Sequence, residues 1–494
     1  MRGKLLGKTI FVSLIALIAV ACGTKHQIAQ PVSQIQAEKT VMILAVNDMH
    51  AAIDNFPRLG FMVDSLRERY PDMLLLSIGD NQTGNAINDQ HPEKGLPMIE
   101  LMNALEFDLS AVGNHEFDSK PEGFSNLLKK ANFNFICSNI YGFNQDKFPI
   151  LPYKVITMRN GIRIALASVL DINERGIPDT HPDNVIGFAF ADPVEKAHEM
   201  LHLRDSGDVL IYMNHYGFEN DVELANELPA GIVDLIIGGH SHTKIDTEQI
   251  HNGILITQAE RRLKYATLIE LTIGTDKKVS KTMKLLTVGN KGSERADIRA
   301  MVDEYNKNPE MHVQIAEAQD DFESFEQVGY LMVDALRASS GTDISLLNPG
   351  GVRSNQLAKG AVTVLDVYSM DPFGNEMVLF NLSGKELKTL LTYAYKFDEY
   401  KPIFPSGIKT KYYLDSDGEV KYVEIFNTKG EPLDLDKTYI VSMNNYMATV
   451  YDYEHEDPGT GLFRPTAESM IDYLKELKYI PSYKYESRVE LINE

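Results

Sequence analysis

Residues 108–118 read DLSAVGNHEFD, a short apolar run that passes through Gly113 straight into Asn114, His115, Glu116 and Asp118. Short apolar runs of this kind are usually buried strands. Six more follow the same pattern: VMILAV (41–46), DMLLLSIG (72–79), RIALASVL (163–170), DVLIYMN (208–214), VDLIIGG (233–239) and GILITQA (253–259). Helical patterns lie between several of them, including LGFMVDSLRERY (59–70) and PMIELMNALE (97–106). Strands alternating with helices, and strands apolar on both faces, predict a layered α/β domain.

The strand ends carry the chemistry. VMILAV leads into Asp48 and His50, the 72–79 run into Asp80, and DLSAV into Asn114, His115 and Asp118. DVLIYMN leads into His215, and VDLIIGG into His240 and His242. In an α/β sheet the carboxyl ends of the strands form the ligand crevice, so five separate loops are expected to meet there. Residues two apart at a strand end point the same way, which pairs Asp48 with His50 and His240 with His242. A mixed carboxylate, amide and imidazole set suits Mn, Zn, Fe or Co better than Ca. Seven donors exceed one tetrahedral ion and suit two, bridged by a carboxylate. Any one of these histidines taken alone reads more readily as a core or capping residue; five loops together do not. Glu116 and Asn214, inside the same motifs, are read as residues that bond the loops or orient a neighbouring imidazole.

The order Asp-x-His, Gly-Asp, Gly-Asn-His-Glu-Phe-Asp, His, Gly-His-x-His resembles the calcineurin-type metallophosphoesterases and, within them, the 5′-nucleotidases. The resemblance implies a four-layer sandwich with a second α/β substrate-binding domain. It also implies one divalent ion on Asp48, His50, Asp80 and His242, and a second on Asp80, Asn114, His215 and His240, with Asp80 as the bridge. His115 then differs from the ligands. Asp118, three residues on, can hold its imidazolium while the other ring nitrogen faces a phosphate, and a metal-activated water would attack phosphorus in line.

A second α/β domain is expected after the charged segment 293–319, which reads as a solvent-exposed helix and linker. Its elements are the helix QVGYLMVDALRASS (327–340), the strand DISLLN (343–348), the helix GKELKTLLTYAYKF (384–397) and the strand YIVSMN (439–444). NPGGVRS (348–354) matches the nucleotidase pattern that holds substrate through Asn348, Gly350, Gly351 and Arg353. Glycines allow close backbone approach, and an arginine fork pairs with phosphate. DPFGNEMV (371–378) resembles the segment whose Phe stacks on the base, which makes Phe373 one wall of an aromatic clamp. The same resemblance puts Tyr446 on the other wall and Asp452 at the ribose. Here the glycines that flank this acid are replaced by Tyr451 and Tyr453, and DDFESFEQVGYL (320–331) lacks an Arg that many relatives carry.

The whole chain has 494 residues, with 44% hydrophobic and 24% charged, enough for two to three domains. Arg2, Lys4 and Lys8 precede the apolar stretch 9–21, which is too short to span a membrane as a mature helix. AVAC (19–22) resembles a lipobox, implying cleavage before Cys22, lipid on its thiol and a tether over 23–40. The expected organisation is therefore a signal segment at 1–22, the tether, a metallophosphoesterase domain at 41–290, a linker helix at 291–325 and a substrate-binding domain at 326–494. Cys137, the other cysteine, reads as a small buried hydrophobe. A net charge of −22 argues against non-specific binding to nucleic acid polymers. The expectation is an exported, lipid-anchored, periplasmic or outer-membrane hydrolase of nucleotides, touching the membrane only through its anchor. UDP-sugar hydrolase and 2′,3′-cyclic-nucleotide phosphodiesterase are the alternatives in the same family, and a non-catalytic ligand-binding lipoprotein is the alternative outside it.

Overall fold

The computed structural model describes residues 37–289, 291–398 and 400–493. The signal segment, Cys22 and most of the tether fall outside the described residues. No helix among the described residues is long and apolar enough to cross a membrane.

The first domain is two sheets face to face. The larger has seven strands, with β1 (Lys39–Val46), β2 (Leu74–Ser77) and β3 (Leu109–Ala111) parallel at its centre. The other has six, with β4 (Val209–Asn214) and β5 (Leu235–Gly238) parallel at its centre. The alternation of side chains along a strand separates three cores. Val41, Ile43, Ala45, Leu74 and Leu76 pack between the sheets against Val209, Ile211, Met213, Leu235 and Ile237. Met42, Leu44, Val46 and Leu75 face outward under helices that include Phe56–Arg69 and Leu96–Ala104. Leu210, Tyr212 and Ile236 face outward on the other side, under Pro193–Met200 and Phe218–Glu227. The result is helix, sheet, sheet, helix: the four layers expected. Because β1, β2 and β3 run parallel, as do β4 and β5, the loops after Val46, Ser77 and Ala111 emerge together, as do those after Asn214 and Gly238.

The helix expected in the charged segment forms at Ala296–Tyr305, but it does not stand free in solvent. Ile298 and Val302, four residues apart on one face, are fully buried in the core above the seven-stranded sheet. Its start is tied to Phe56–Arg69 by the Arg295 N–H on the Pro57 carbonyl (2.8 Å) and by the ion pair of Arg58 with Glu294 (2.8 Å). Met301 and Tyr305 pack on the same core, so the apolar stripe runs through 298, 301, 302 and 305, and the charged residues around it made the segment read as solvated.

The second domain has a five-stranded sheet whose central strands include Ile344–Leu347, Thr438–Asn444 and Glu376–Ser383. Helix Phe325–Ser340 starts on a Ser324 cap, and helix Gly384–Phe397 starts on a Ser383–Glu386 capping box. They contribute to the two cores of this domain, one with Thr466–Leu477 and one with a three-stranded sheet. Cys137 is a free, buried thiol that donates to Asn139 Oδ1 (3.1 Å), and burial pushes it up to about 12.

Candidate active site

Five of the seven expected donors sit where the backbone turns left-handed directly after a strand: Asp48 (φ 47°), His50 (44°), Asp80 (49°), His240 (76°) and His242 (56°). Left-handed φ costs an ordinary L-residue roughly 1–2 kcal/mol, so something must hold these turns. Neighbouring strand ends do. Asp48 N–H donates to the Gly79 carbonyl (3.2 Å), His50 N–H to Asp80 (2.9 Å) and Ala51 N–H to Asn81 (2.9 Å). Glu116, fully inside, accepts from the N–H groups of Gly113 (2.7 Å), Asn81 (2.8 Å) and Asp80 (2.9 Å). It therefore bonds the loops and ligates nothing. Burial, then the Asp80 carboxylate, pushes its own carboxyl up to about 7. Asn214 is likewise a support, donating to Asp221 Oδ1 (2.9 Å).

The donors meet in two groups. Asp48, His50, Asp80 and His242 offer one ligand atom each, all within 4.8 Å of one another; Asp80, His215 and His240 form the second group in the same way. His50 Nδ1 lies 3.1 Å from the Thr83 carbonyl and His215 Nδ1 2.7 Å from the Ile78 carbonyl. A carbonyl accepts only, so the ring proton sits on Nδ1 and the Nε2 lone pair faces the centre. There His50 Nε2 stands 2.9 Å from His242 Nε2, and His215 Nε2 3.3 Å from Asp80 Oδ2. His215 Nε2 and Asn114 Oδ1 are buried with no hydrogen-bond partner among the described residues. Lone pairs aimed at one another in a buried site repel unless cations lie between them, so this donor set fits two divalent ions. Burial disfavours charge on His215, yet the Asp80 carboxylate overrides it and raises the imidazole to about 10. Burial holds both His50 and His242 below the usual range.

His115 Nδ1 is 2.7 Å from Asp118 Oδ2, and the carboxylate also accepts from Thr83 Oγ1 (2.7 Å) and Thr180 Oγ1 (3.2 Å). Burial works against an imidazolium here, but Asp80 and Asp118 outweigh it and raise His115. Its ring lies stacked 6.0 Å from that of Phe373, across the domain boundary. Arg353 follows: its guanidinium sits over the Phe373 ring (5.4 Å), with Nη2 3.4 Å from His50 Nδ1. The other substrate residues are spread further. Gly350 is exposed and Gly351 buried. Asn348 is buried and accepts from Asn444 (2.9 Å), tying two strand ends together. The Tyr446 hydroxyl donates to Asp179 of the first domain. Asp452 is exposed, between two buried tyrosines, and no described contact brings it to Phe373 or the metal donors.

Sequence reasoning missed four contributors. Asp171, at the end of the 163–170 run, reaches His240 Nε2 (3.6 Å) and was a sixth strand end in plain view. Asp179 accepts from Tyr446 through its side chain and from Asn114 Nδ2 through its carbonyl (3.0 Å). Arg261 and Arg262, after the 253–259 run, reach His242 and Arg353.

Comparison with known proteins agrees with this geometry. Residues 41–244 match the calcineurin-like phosphoesterase family, and residues 308–453 match the 5′-nucleotidase C-terminal domain. The chain belongs to the 5′-nucleotidase family. Its fold superposes on the crystal structure of a 5′-nucleotidase precursor from Thermus thermophilus with a TM-score of 0.81 and 27% identity, covering 92% of this chain and 100% of that one. A 5′-nucleotidase of Vibrio cholerae is 27% identical over 96% of both chains. Protein UshA of Salmonella pullorum is 28% identical over 90% of this chain and 91% of its own. The chain is accordingly a metal-dependent phosphoric ester hydrolase that uses two divalent ions.

The closest approach in the site generates a test. A Cβ added to Gly113 would lie 2.3 Å from Asp80 Oδ1 and 2.5 Å from the Asp80 backbone nitrogen, so Gly113→Ala must displace the expected bridge. Metal analysis of the purified variant is expected to find well under two ions per chain, with the fold retained by circular dichroism. Full metal content would show that Asp80 tolerates the shift.

Proposed function

We propose that this chain hydrolyses nucleotide phosphomonoesters at a two-metal centre outside the cytoplasm, releasing phosphate and a nucleoside. The observation that carries the reading is the meeting of Arg353 and Phe373, from the second domain, with His50 and His115, from the first. A phosphate at the dyad would thereby find a guanidinium and an aromatic face beside it.

In this reading Asp48, His50, Asp80 and His242 hold one ion and Asp80, Asn114, His215 and His240 the other. Bound ions supply Lewis acidity, which lowers the pKa of water and neutralises phosphoryl charge. The chain supplies the rest. Arg353 pairs with phosphoryl oxygens in a fork and orients the ester. His115 donates from Nε2 to the phosphoryl group and delivers its proton to the leaving oxygen as the P–O bond breaks. Asp118, fixed by Thr83 and Thr180, keeps the imidazole in register and stabilises its charged form. Phe373 and Tyr446 receive the base, with Asn348, Gly350, Gly351 and Asp452 on the nucleoside side. Export and lipid attachment at Cys22 belong to this reading on the sequence of residues 1–22 alone.

Two variants test it. His115→Asn is expected to keep both ions and lower kcat by about 10²–10⁴, the range for a positioned acid–base group; loss of the ions along with activity would make His115 a ligand. Base stacking contributes about 1–3 kcal/mol. Phe373→Ala is therefore expected to raise KM for a nucleoside monophosphate at least about tenfold more than for a small aryl phosphate. Equal losses on the two substrates would show that Phe373 is a structural residue and that no base sits there.

A further inference from the structure

Between the strand Arg163–Ala167 and the short helix Pro182–Val185, residues 171–181 form no regular structure, yet they meet the site at four points. The Asp171 N–H donates to the His215 carbonyl (2.9 Å), and Asp171 Oδ2 lies 3.6 Å from His240 Nε2. Asn114 Nδ2 donates to the Asp179 carbonyl (3.0 Å). One residue on, Thr180 Oγ1 donates to Asp118 Oδ1 (3.2 Å) and accepts from Asn184 Nδ2 (2.9 Å). His215, His240 and Asn114 are three of the four donors proposed for the second ion, and Asp118 is the acid of the dyad.

The Asp179 carbonyl decides which atom of Asn114 faces that ion. A half-turn of an Asn amide exchanges its oxygen for its nitrogen, and the oxygen alone has lone pairs for a cation. A carbonyl accepts only, so Asp179 holds Nδ2 outward and leaves Oδ1 inward, where it is buried with no hydrogen-bond partner among the described residues. Groups that orient a ligand in this way are worth about 10–100-fold in metal affinity or activity.

That carbonyl is itself steadied from the second domain. Pro178 and Thr180 are buried; Asp179 between them is exposed, with its carbonyl turned to Asn114 and its carboxylate to the second domain. There Asp179 Oδ1 accepts from the Tyr446 hydroxyl. Burial first, then the Asp179 carboxylate, holds this phenol well above its ordinary range, so it is a donor at neutral pH. Earlier in the same segment, Arg175 Nη1 donates to the Thr449 carbonyl (2.8 Å). Tyr446 and Thr449 both belong to helix Asn445–Val450. Three backbone bonds inside the segment are local turns: Asn173 N–H on Ile177 (2.9 Å), Gly176 N–H on Asn173 (2.8 Å) and Thr180 N–H on Pro178 (2.7 Å).

We propose that Asp179 is a positioning residue through which the second domain sets the second ion site. The Tyr446 hydroxyl holds its carboxylate, and its carbonyl holds the Asn114 amide with oxygen toward the ion. Thr180 carries the same hold to the dyad through Asp118. Tyr446 then has two separable duties, a ring face for the base and a hydroxyl for the metal centre. The inference rests on the assignment of Asn114 as a ligand made above and is independent of the base clamp.

Calorimetric titration of the metal-stripped protein with Mn²⁺ reads it, with Asn114→Ala marking which binding step belongs to the ion beside Asn114. Tyr446→Phe keeps the ring and removes the hydroxyl. It is expected to weaken the marked step about tenfold or more, and the other step by less than about twofold. Asp179→Ala is expected to do the same. Asp179→Asn, whose amide oxygen still accepts, is expected to recover most of the loss, and Tyr446→Phe combined with Asp179→Ala to lose no more than either alone. At saturating Mn²⁺, Tyr446→Phe is expected to lower kcat for a small aryl phosphate, which carries no nucleoside, about tenfold while KM stays within about twofold. Equal weakening of both steps, or a defect confined to KM for nucleotides, would overturn the inference. If Asn114→Ala leaves both steps unchanged, the ligand assignment fails and the inference with it. If Asn114→Ala weakens one step and Tyr446→Phe weakens neither, the assignment stands and the inference alone fails.

Discussion

The site is organised by a repulsion. Carboxylate oxygens and imidazole nitrogens from four strand ends are aimed at two points, close enough that His50 and His242 approach to 2.9 Å through their Nε2 atoms. Nothing in the side chains themselves favours that arrangement. It exists because parallel strands bring their ends to one edge, because carbonyls of Ile78 and Thr83 lock two ring protons outward, and because Glu116 gathers three N–H groups from two loops. The two sheets and their three cores make a frame stiff enough to hold like against like.

Much of this could be read before any coordinates. Apolar runs of strand length and the donors that follow them are both local signals, and the strand ends of an α/β sheet converge by topology. That is why an α/β layered domain and the set of strand-end donors were legible from the residues, while the division of those donors between two ions came from the family resemblance. Other features depend on contacts that no local pattern encodes. The Ala296–Tyr305 helix packs through Ile298, Met301, Val302 and Tyr305, but the charged residues between them make its sequence look solvated. Arg261 and Arg262 follow a strand but resemble any exposed basic pair; their reach depends on left-handed turns at Glu260, Arg262 and Leu263, which none of these side chains favours. Asn348 reads as a ligand-facing residue, yet its oxygen accepts from Asn444. In that case the motif was visible but the hydrogen-bond partner was not.

The division of labour follows the chain. All seven expected metal donors and the proposed dyad come from the first domain, while Arg353, Phe373 and Tyr446 come from the second and meet the first at the site and its rim: Arg353 by His50, Phe373 by His115, Tyr446 on Asp179. Arg175 on the Thr449 carbonyl (2.8 Å) adds one more polar tie. A substitution at Phe373 can therefore alter what is presented to the dyad without disturbing a single donor.

The left-handed donors have a thermodynamic consequence. Each of the five stores roughly 1–2 kcal/mol that unfolding would release. An ion that binds the native state alone returns about 2.7 kcal/mol when present at about a hundred times its dissociation constant. Two ions thus offset a large part of what the turns cost, and folding is linked to ion supply as closely as turnover is. A chain exported in the way proposed meets whatever ions its surroundings hold. Scarcity there would shorten the lifetime of the folded molecule, so that the amount of enzyme would itself report the ions available.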